Sequence, residues 1–197
     1  MTDGLFDHED DGNTLLTAEE REGLRLTYVT TRGELNAAEA ENIAKAAAWA
    51  RSARRRGTPD VDFLRRLHKR MLGDVWDWAG EYRRSDKNIG VQHRQIEMAM
   101  YELVGSLNAW TAYESYEPDE IAVRFAHRLV QVHPFPNGNG RHSRLAADVL
   151  VTSWGGEPFT WGRASLLSPE KTRAAYIEAL KAADRNEFGS LIAFARS

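Results

Sequence analysis

The sequence predicts an all-α fold with one irregular or hairpin insertion, and three observations carry that prediction. Helix-start chemistry recurs along the chain, as Ser or Thr caps, Glu three residues later, and Pro at first helical positions. Apolar residues recur at helical spacing, as at 61, 64, 67, 68 and 71 of "DVDFLRRLHKRML", with His68 among them. One stretch, residues 76–95, breaks the pattern with Gly80, Gly90 and no 3.6-residue period, and reads as a short hairpin or extended loop.

Taken in order, Thr17 and Glu20 of "TAEE" form a capping box that opens the first helix. Asn36 and Glu39 of "NAAE" form a second, opening an alanine-rich helix towards Arg56. Thr58 and Pro59 supply a cap and an N1 proline for the next. Helical patterns resume at 95–112, 118–132, from 139 to the mid-150s, 169–183 and 186–196. Pro118 and Pro169 stand at first helical positions, the latter after Ser168.

The 197 residues suit one domain with a small appended segment. At 42% hydrophobic and 28% charged, the chain has the composition of an ordinary globular protein with a real core. A net charge of −3 offers no basic field for nucleic acid, which is not an expected partner. Without cysteine there is no disulfide and no thiolate chemistry. No apolar run is long enough to span a membrane, and the acidic start "MTDGLFDHEDDGN" does not resemble a signal peptide, so a cytoplasmic location is expected.

The chemistry concentrates in "HPFPNGNGRHSR", residues 133–144. The loop follows a helix with Phe125, Leu129 and Val132 on one face and opens another with Leu145, Val149 and Leu150. It therefore ends at a helix N-terminus, where free amides and the dipole favour an anion. Gly138 and Gly140 let backbone approach a ligand, and Arg141 and Arg144, one turn apart, reach the same anion. Amides, glycines and two guanidiniums match a polyphosphate better than a single carboxylate. His133 at the rim has the chemistry of a general base for a hydroxyl attacking phosphorus. No Walker A pattern occurs. Each piece is commonplace alone; their union within twelve residues is not.

This stretch resembles the Fic family signature, His-x-Phe-x-(Asp/Glu)-Gly-Asn-Gly-Arg-x-x-Arg, and the upstream "FLRRLHKRMLGDVWDWAGEYRRSDKNIGV" is similar to the helix and flap before it. The resemblance spans about residues 60 to 160, and the whole chain resembles the subgroup called mobile mystery protein B, carried on mobile elements. It implies a Fido-type helical bundle with a short β-hairpin flap, residues 59–197, preceded by a helical segment, residues 1–58. It also implies transfer of AMP from ATP to a Ser, Thr or Tyr hydroxyl of a protein target, with Mg²⁺ carried on the ATP phosphates. By position, His133 resembles the base and Phe135 a buried anchor. Gly138, Asn139 and Gly140 resemble the anion hole, and Arg141 and Arg144 the holders of the β- and γ-phosphates. Asn137 stands where the family usually has the Asp or Glu that helps bind Mg²⁺, so weaker metal binding is expected.

"TTRGELN", residues 30–36, resembles the family's inhibitory motif (Ser/Thr)-x-x-x-Glu-(Gly/Asn), with Thr30 and Glu34 in the key places and Leu35 as a departure. The resemblance implies a Glu34 carboxylate competing with phosphate for Arg144; the plainer reading is a pre-helix carboxylate favoured by the dipole. Residues 81–92 resemble the flap that clamps a target by strand addition, with Asn88, Ile89, Gly90 and Val91 as its binding edge. Trp76 and Trp78 read as core packing, "RSARRRG" at 51–57 as a solvated helix end, and His68, His93, His127 and His142 show no metal-ligand spacing. Two functions stay open: an adenylyltransferase, favoured by His133 and both arginines, and a catalytically weak nucleotide-binding module, favoured by Asn137. A DNA-binding regulator has only the 51–56 run in its favour.

Overall fold

A computed structural model describes residues 16–52, 58–163 and 168–197. Its helices are α1 (Ala18–Glu22), α2 (Arg32–Ser52), α3 (Val61–Leu72), α4 (Ile96–Ala112), α5 (Pro118–Val132), α6 (Asn139–Ser153), α7 (Pro169–Asp184) and α8 (Gly189–Arg196). A 3-10 turn, His93–Gln95, leads into α4. The all-α expectation holds. Most of the "RSARRRG" run lies outside the described residues, as does the acidic start.

Local chemistry sets the helix starts. Thr17 and Glu20 form the predicted capping box of α1. Pro118 and Pro169 occupy first turns, and the Ser168 side chain accepts from the Lys171 amide. Two starts differ from expectation. Asp60, not Thr58, caps α3, accepting from the Phe63 amide at 2.6 Å. α2 begins a turn before Asn36, because Thr31 and Glu34 form their own capping box: Glu34 N donates to Thr31 Oγ1 (3.3 Å) and Thr31 N donates to Glu34 Oε2 (3.0 Å). That frees Glu39 from helix-start duty.

α5 is buried around most of its circumference, through Ile121, Val123, Phe125, Ala126, Leu129 and Val132, and packs between α4 and α6. α3 lies against α2 and α6, and α7 pairs with α8. α4 contributes one apolar face, Ile96, Met100, Leu103 and Leu107, at helical spacing. Truncating a fully buried ring such as Phe125 to Ala would cost about 3–5 kcal/mol. α2 turns Leu35, Glu39, Asn42, Ala46 and Ala50 inwards, so two polar residues sit on its buried stripe. Its apolar members join the same core as the later helices.

The N-terminal stretch is stitched onto residues 75–78. Arg25 N donates to Val75 O (2.8 Å), Asp77 N to Gly23 O (2.9 Å), and the Trp78 indole to Glu20 O (2.9 Å). Trp76 and Trp78 stack at 4.9 Å, the packing role expected of them. The expected β-hairpin at 81–92 does not form; the segment is a run of bends and turns. Its two arms bond to the start of the motif loop instead, Arg83 N to Pro134 O (2.9 Å) and Val91 N to Val132 O (3.4 Å). Backbone groups spent there cannot pair across a hairpin.

Candidate active site

α5 ends at His133, which caps it in the left-handed conformation at φ 52°, ψ 58°. The chain then turns through Pro134–Pro136 and enters α6 at Gly138. Phe135 is the anchor of this turn: it is fully buried and stacks on His68 at 3.7 Å, with the His142 ring edge-on at 5.1 Å. Asn139 clasps the same residue from inside the loop. Its Oδ1 accepts from Phe135 N (3.0 Å) and its Nδ2 donates to Phe135 O (2.8 Å), so its side chain shapes the loop and only its amide faces outwards.

His68 fixes the other end. The Gly80 amide donates to its Nδ1 (3.0 Å), so Nε2 carries the hydrogen and donates to the Asn137 carbonyl at 3.0 Å. Burial holds this imidazole's pKa well below the ordinary value, and the neutral tautomer is the one both bonds require. Gly138, at φ 79°, is confined on the same side: a Cβ there would lie 2.7 Å from Leu72 Cδ1. Sequence reasoning placed His68 on the buried face of α3 without seeing this bridge; its only signal was a polar residue in an apolar stripe.

The residues expected to hold an anion lie around the start of α6. The Arg141 guanidinium reaches within 3.9 Å of where a Gly138 side chain would project, and that of Arg144 within 4.0 Å of the equivalent point above Gly140. Both cations thus lie beside the glycines that open α6, where the first-turn amides and the helix dipole favour an anion. Arg144 also lies over the Tyr176 ring, 4.9 Å from its centre. His133, at the end of α5, is 4% exposed and lies against Gly90. Burial, then the nearby Arg83 cation, push its pKa down to about 4, offset in part by the Val130 carbonyl. Its imidazole is therefore neutral at pH 7.

The structure does not bring Glu34 to Arg144. Glu34 is exposed at the start of α2, where its carboxylate accepts from Thr30 N (2.8 Å), Thr30 Oγ1 (3.2 Å) and Thr31 N (3.0 Å). Those backbone bonds hold its pKa below the usual carboxylate value. The carboxylate on a motif arginine is Glu39, 5% exposed, whose Oε2 accepts from Arg141 Nη1 at 2.6 Å while Oε1 accepts from the Trp76 indole at 2.8 Å. Its signal in the sequence was helical phase: 35, 39, 42, 46 and 50 form one stripe.

Asn137 is half-buried, and its Oδ1 already accepts from the Gly138 amide. It can offer a cation one neutral oxygen lone pair, which fits a metal held mainly by phosphates. Among the described residues no group of three or more His, Asp or Glu could hold a metal ion. In the flap, Asn88, Ile89 and Gly90 are exposed, whereas the Val91 amide is spent on Val132. A groove of about 600 Å³ runs beside them, lined by Ile89, Gly90, Val91, Leu103 and Arg128 among others. The buried Lys87 ammonium ties this flap to Glu20 of α1.

A glycine-flanked helix start, two arginines in its first two turns and a neutral histidine at the end of the preceding helix thus fall within twelve residues of a helical domain. Residues 58–151 match the model of the Fic/DOC family. It is 31% identical over 134 residues to the protein adenylyltransferase Fic of Drosophila ananassae, covering 65% of this chain and 25% of that protein. The Drosophila virilis protein of that name gives 30% over 132 residues, 65% of this chain and 26% of that one. The chain thus spans about a quarter of these relatives' length. Solved folds agree: the N-terminal Fic domain of a VirB-translocated Bep effector from Bartonella quintana, with bound ADP, has a TM-score of 0.67 at 21% identity, over 90% of this chain and 94% of that one. BepC of Bartonella tribocorum, with bound AMPPNP, gives 0.65 at 17%, over 91% and 97%.

Proposed function

We propose that this chain is a Fic-type protein adenylyltransferase, moving AMP from ATP to a Ser, Thr or Tyr hydroxyl of a protein. The observation that supports the reading is a neutral, buried His133 joined by one short turn to the start of α6, where Arg141 and Arg144 lie beside Gly138 and Gly140. The triphosphate lies over the first turn of α6, with its charge on Arg141, Arg144 and the helix amides. His133 takes the proton of the incoming hydroxyl as its oxygen bonds the α-phosphorus. The bond from that phosphorus to the bridging oxygen breaks, and pyrophosphate leaves with the electron pair. Mg²⁺, when bound through the phosphates with Asn137 Oδ1 beside it, would neutralise charge on the leaving group.

The target segment lies along the exposed Asn88–Gly90 edge, which presents its hydroxyl towards His133. Control is exerted by α2: Glu39 occupies Arg141, so a phosphate must displace a buried carboxylate to reach that guanidinium. Asn137 supports a second reading, a nucleotide-binding module with little turnover, since it offers no charge to a metal. The deciding test incubates the protein with ATP and Mg²⁺ and follows AMP addition by intact mass, with His133→Ala as control. Addition that depends on His133 supports the enzyme; tight nucleotide binding with no addition supports the module.

A further inference from the structure

One buried cation ties the flap to His133. Arg83, from the flap's first arm, is 2% exposed. Its Nε donates to the His133 carbonyl at 2.7 Å, its Nη1 to the Ser85 carbonyl at 2.8 Å, and its Nη2 to the Val91 carbonyl of the other arm. Asp86 Oδ1 lies 3.8 Å from Nη1 and also accepts from the His93 amide at 2.7 Å. Three carbonyls and this one carboxylate therefore compensate the buried charge. The His133 amide meanwhile donates to Leu129 O at 3.3 Å, so the peptide groups on both sides of the candidate base are held.

The flap and the base also touch directly. Gly90 has φ of 101°, and a Cβ there would lie 2.6 Å from His133 Cβ and 2.9 Å from Arg83 Nη2. The flap thus rests on His133 through bare backbone, and any shift of one arm is passed to the base through the guanidinium.

We propose that Arg83 is the positioning residue for His133, fixing the base's peptide plane and the curvature of the flap with one planar fork. The inference rests on the transfer reading above. Acceptors in three directions suit a guanidinium, with five donors in a rigid plane; a lysine ammonium is a point charge on a flexible stem and cannot hold all three. Arg83 touches no reacting atom in this account. It sets where the imidazole points when a target hydroxyl arrives on the flap.

The test compares Arg83→Met and Arg83→Lys with the wild-type full chain. Three quantities are read: kcat and KM for ATP in AMP transfer, thermal unfolding, and the ring NMR signals of His133, assigned with His133→Ala. Misplacing a catalytic group by about 1 Å can cost about 100-fold, so Arg83→Met should lower kcat by about 10- to 100-fold. KM for ATP should stay within about twofold, because the arginines of α6 are untouched. The His133 ring signals should move, and Arg83→Lys should fall between Met and wild type. If Arg83→Met does not fold, Arg83→Lys alone decides, by a lowered kcat at unchanged KM and a shifted ring signal. Wild-type kcat and ring signals in the folded variants would overturn the proposal, as would a rate loss no larger than the loss of folded protein. The ring signals need no turnover: shifted signals in a chain that never transfers AMP would sink the function and leave Arg83 as the holder of His133.

Discussion

Glu39 places its carboxylate 2.6 Å from the Arg141 guanidinium, joining α2 to the motif helix across 102 residues of sequence. Half of that carboxylate also receives the Trp76 indole, so the pair is braced from a third element. If Arg141 binds phosphate as proposed, this braced, nearly buried anion competes with it for the same donors.

Glu39→Gln keeps an acceptor for Trp76 and removes the charge. Self-labelling with ATP should rise by about tenfold or more, each ~1.4 kcal/mol of lost competition giving a factor of ten. Glu34→Gly should leave labelling unchanged and lower the thermal midpoint slightly, because that carboxylate caps α2. A rise with Glu34→Gly and none with Glu39→Gln would reverse the assignment.

His133→Ala should reduce transfer by about 10²–10⁴-fold, the range of general-base contributions, with ATP affinity by calorimetry nearly unchanged. In the proposed mechanism the phosphates rest on α6, not on the imidazole.

Asn137→Asp adds a charge at the start of α6 and can still accept from the Gly138 amide. The Mg²⁺ concentration for half-maximal transfer should fall severalfold. An unchanged Mg²⁺ dependence would mean that the triphosphate alone holds the metal.

Stability should fall as pH drops from about 6.5 towards 4. Burial lowers the folded-state pKa of His133 and of His142 to about 4, and that of His68 also lies well below normal. In that window the unfolded chain binds protons that the folded chain refuses, so stability is full above the unfolded value and lost below it. Asp148, raised by burial to about 6, acts with the opposite sign between about 6 and 3.8. With His127, which burial also lowers, four histidines outweigh one carboxyl, for a net loss of several kcal/mol on the scale of ~1.4 kcal/mol per tenfold change. Urea unfolding at several pH values reads it; a flat or rising profile would contradict it.

Much of this was legible in the sequence, for physical reasons. Capping boxes and N1 prolines are local, so the starts of α1, α5 and α7 follow from a few residues each. The motif loop was equally plain, since Gly138, Arg141 and Arg144 follow one another at a spacing of three residues. Long-range partners were not legible. Glu39 looks like a cap residue until the competing box at Thr31 and Glu34 fixes the phase of α2. Arg83 and Arg84 are adjacent and alike on paper; only the fold buries one and exposes the other. The hairpin reading of residues 81–92 failed because their backbone bonds go to 132–134, a pairing no local rule announces.

The most direct test of the central claim uses ATP labelled at either end with Glu39→Gln protein and Mg²⁺. Label on the α-phosphorus should enter the protein, label on the γ-phosphorus should leave as pyrophosphate, and His133→Ala should abolish the incorporation. Incorporation of the γ-label, or of neither, would contradict adenylyl transfer at this site.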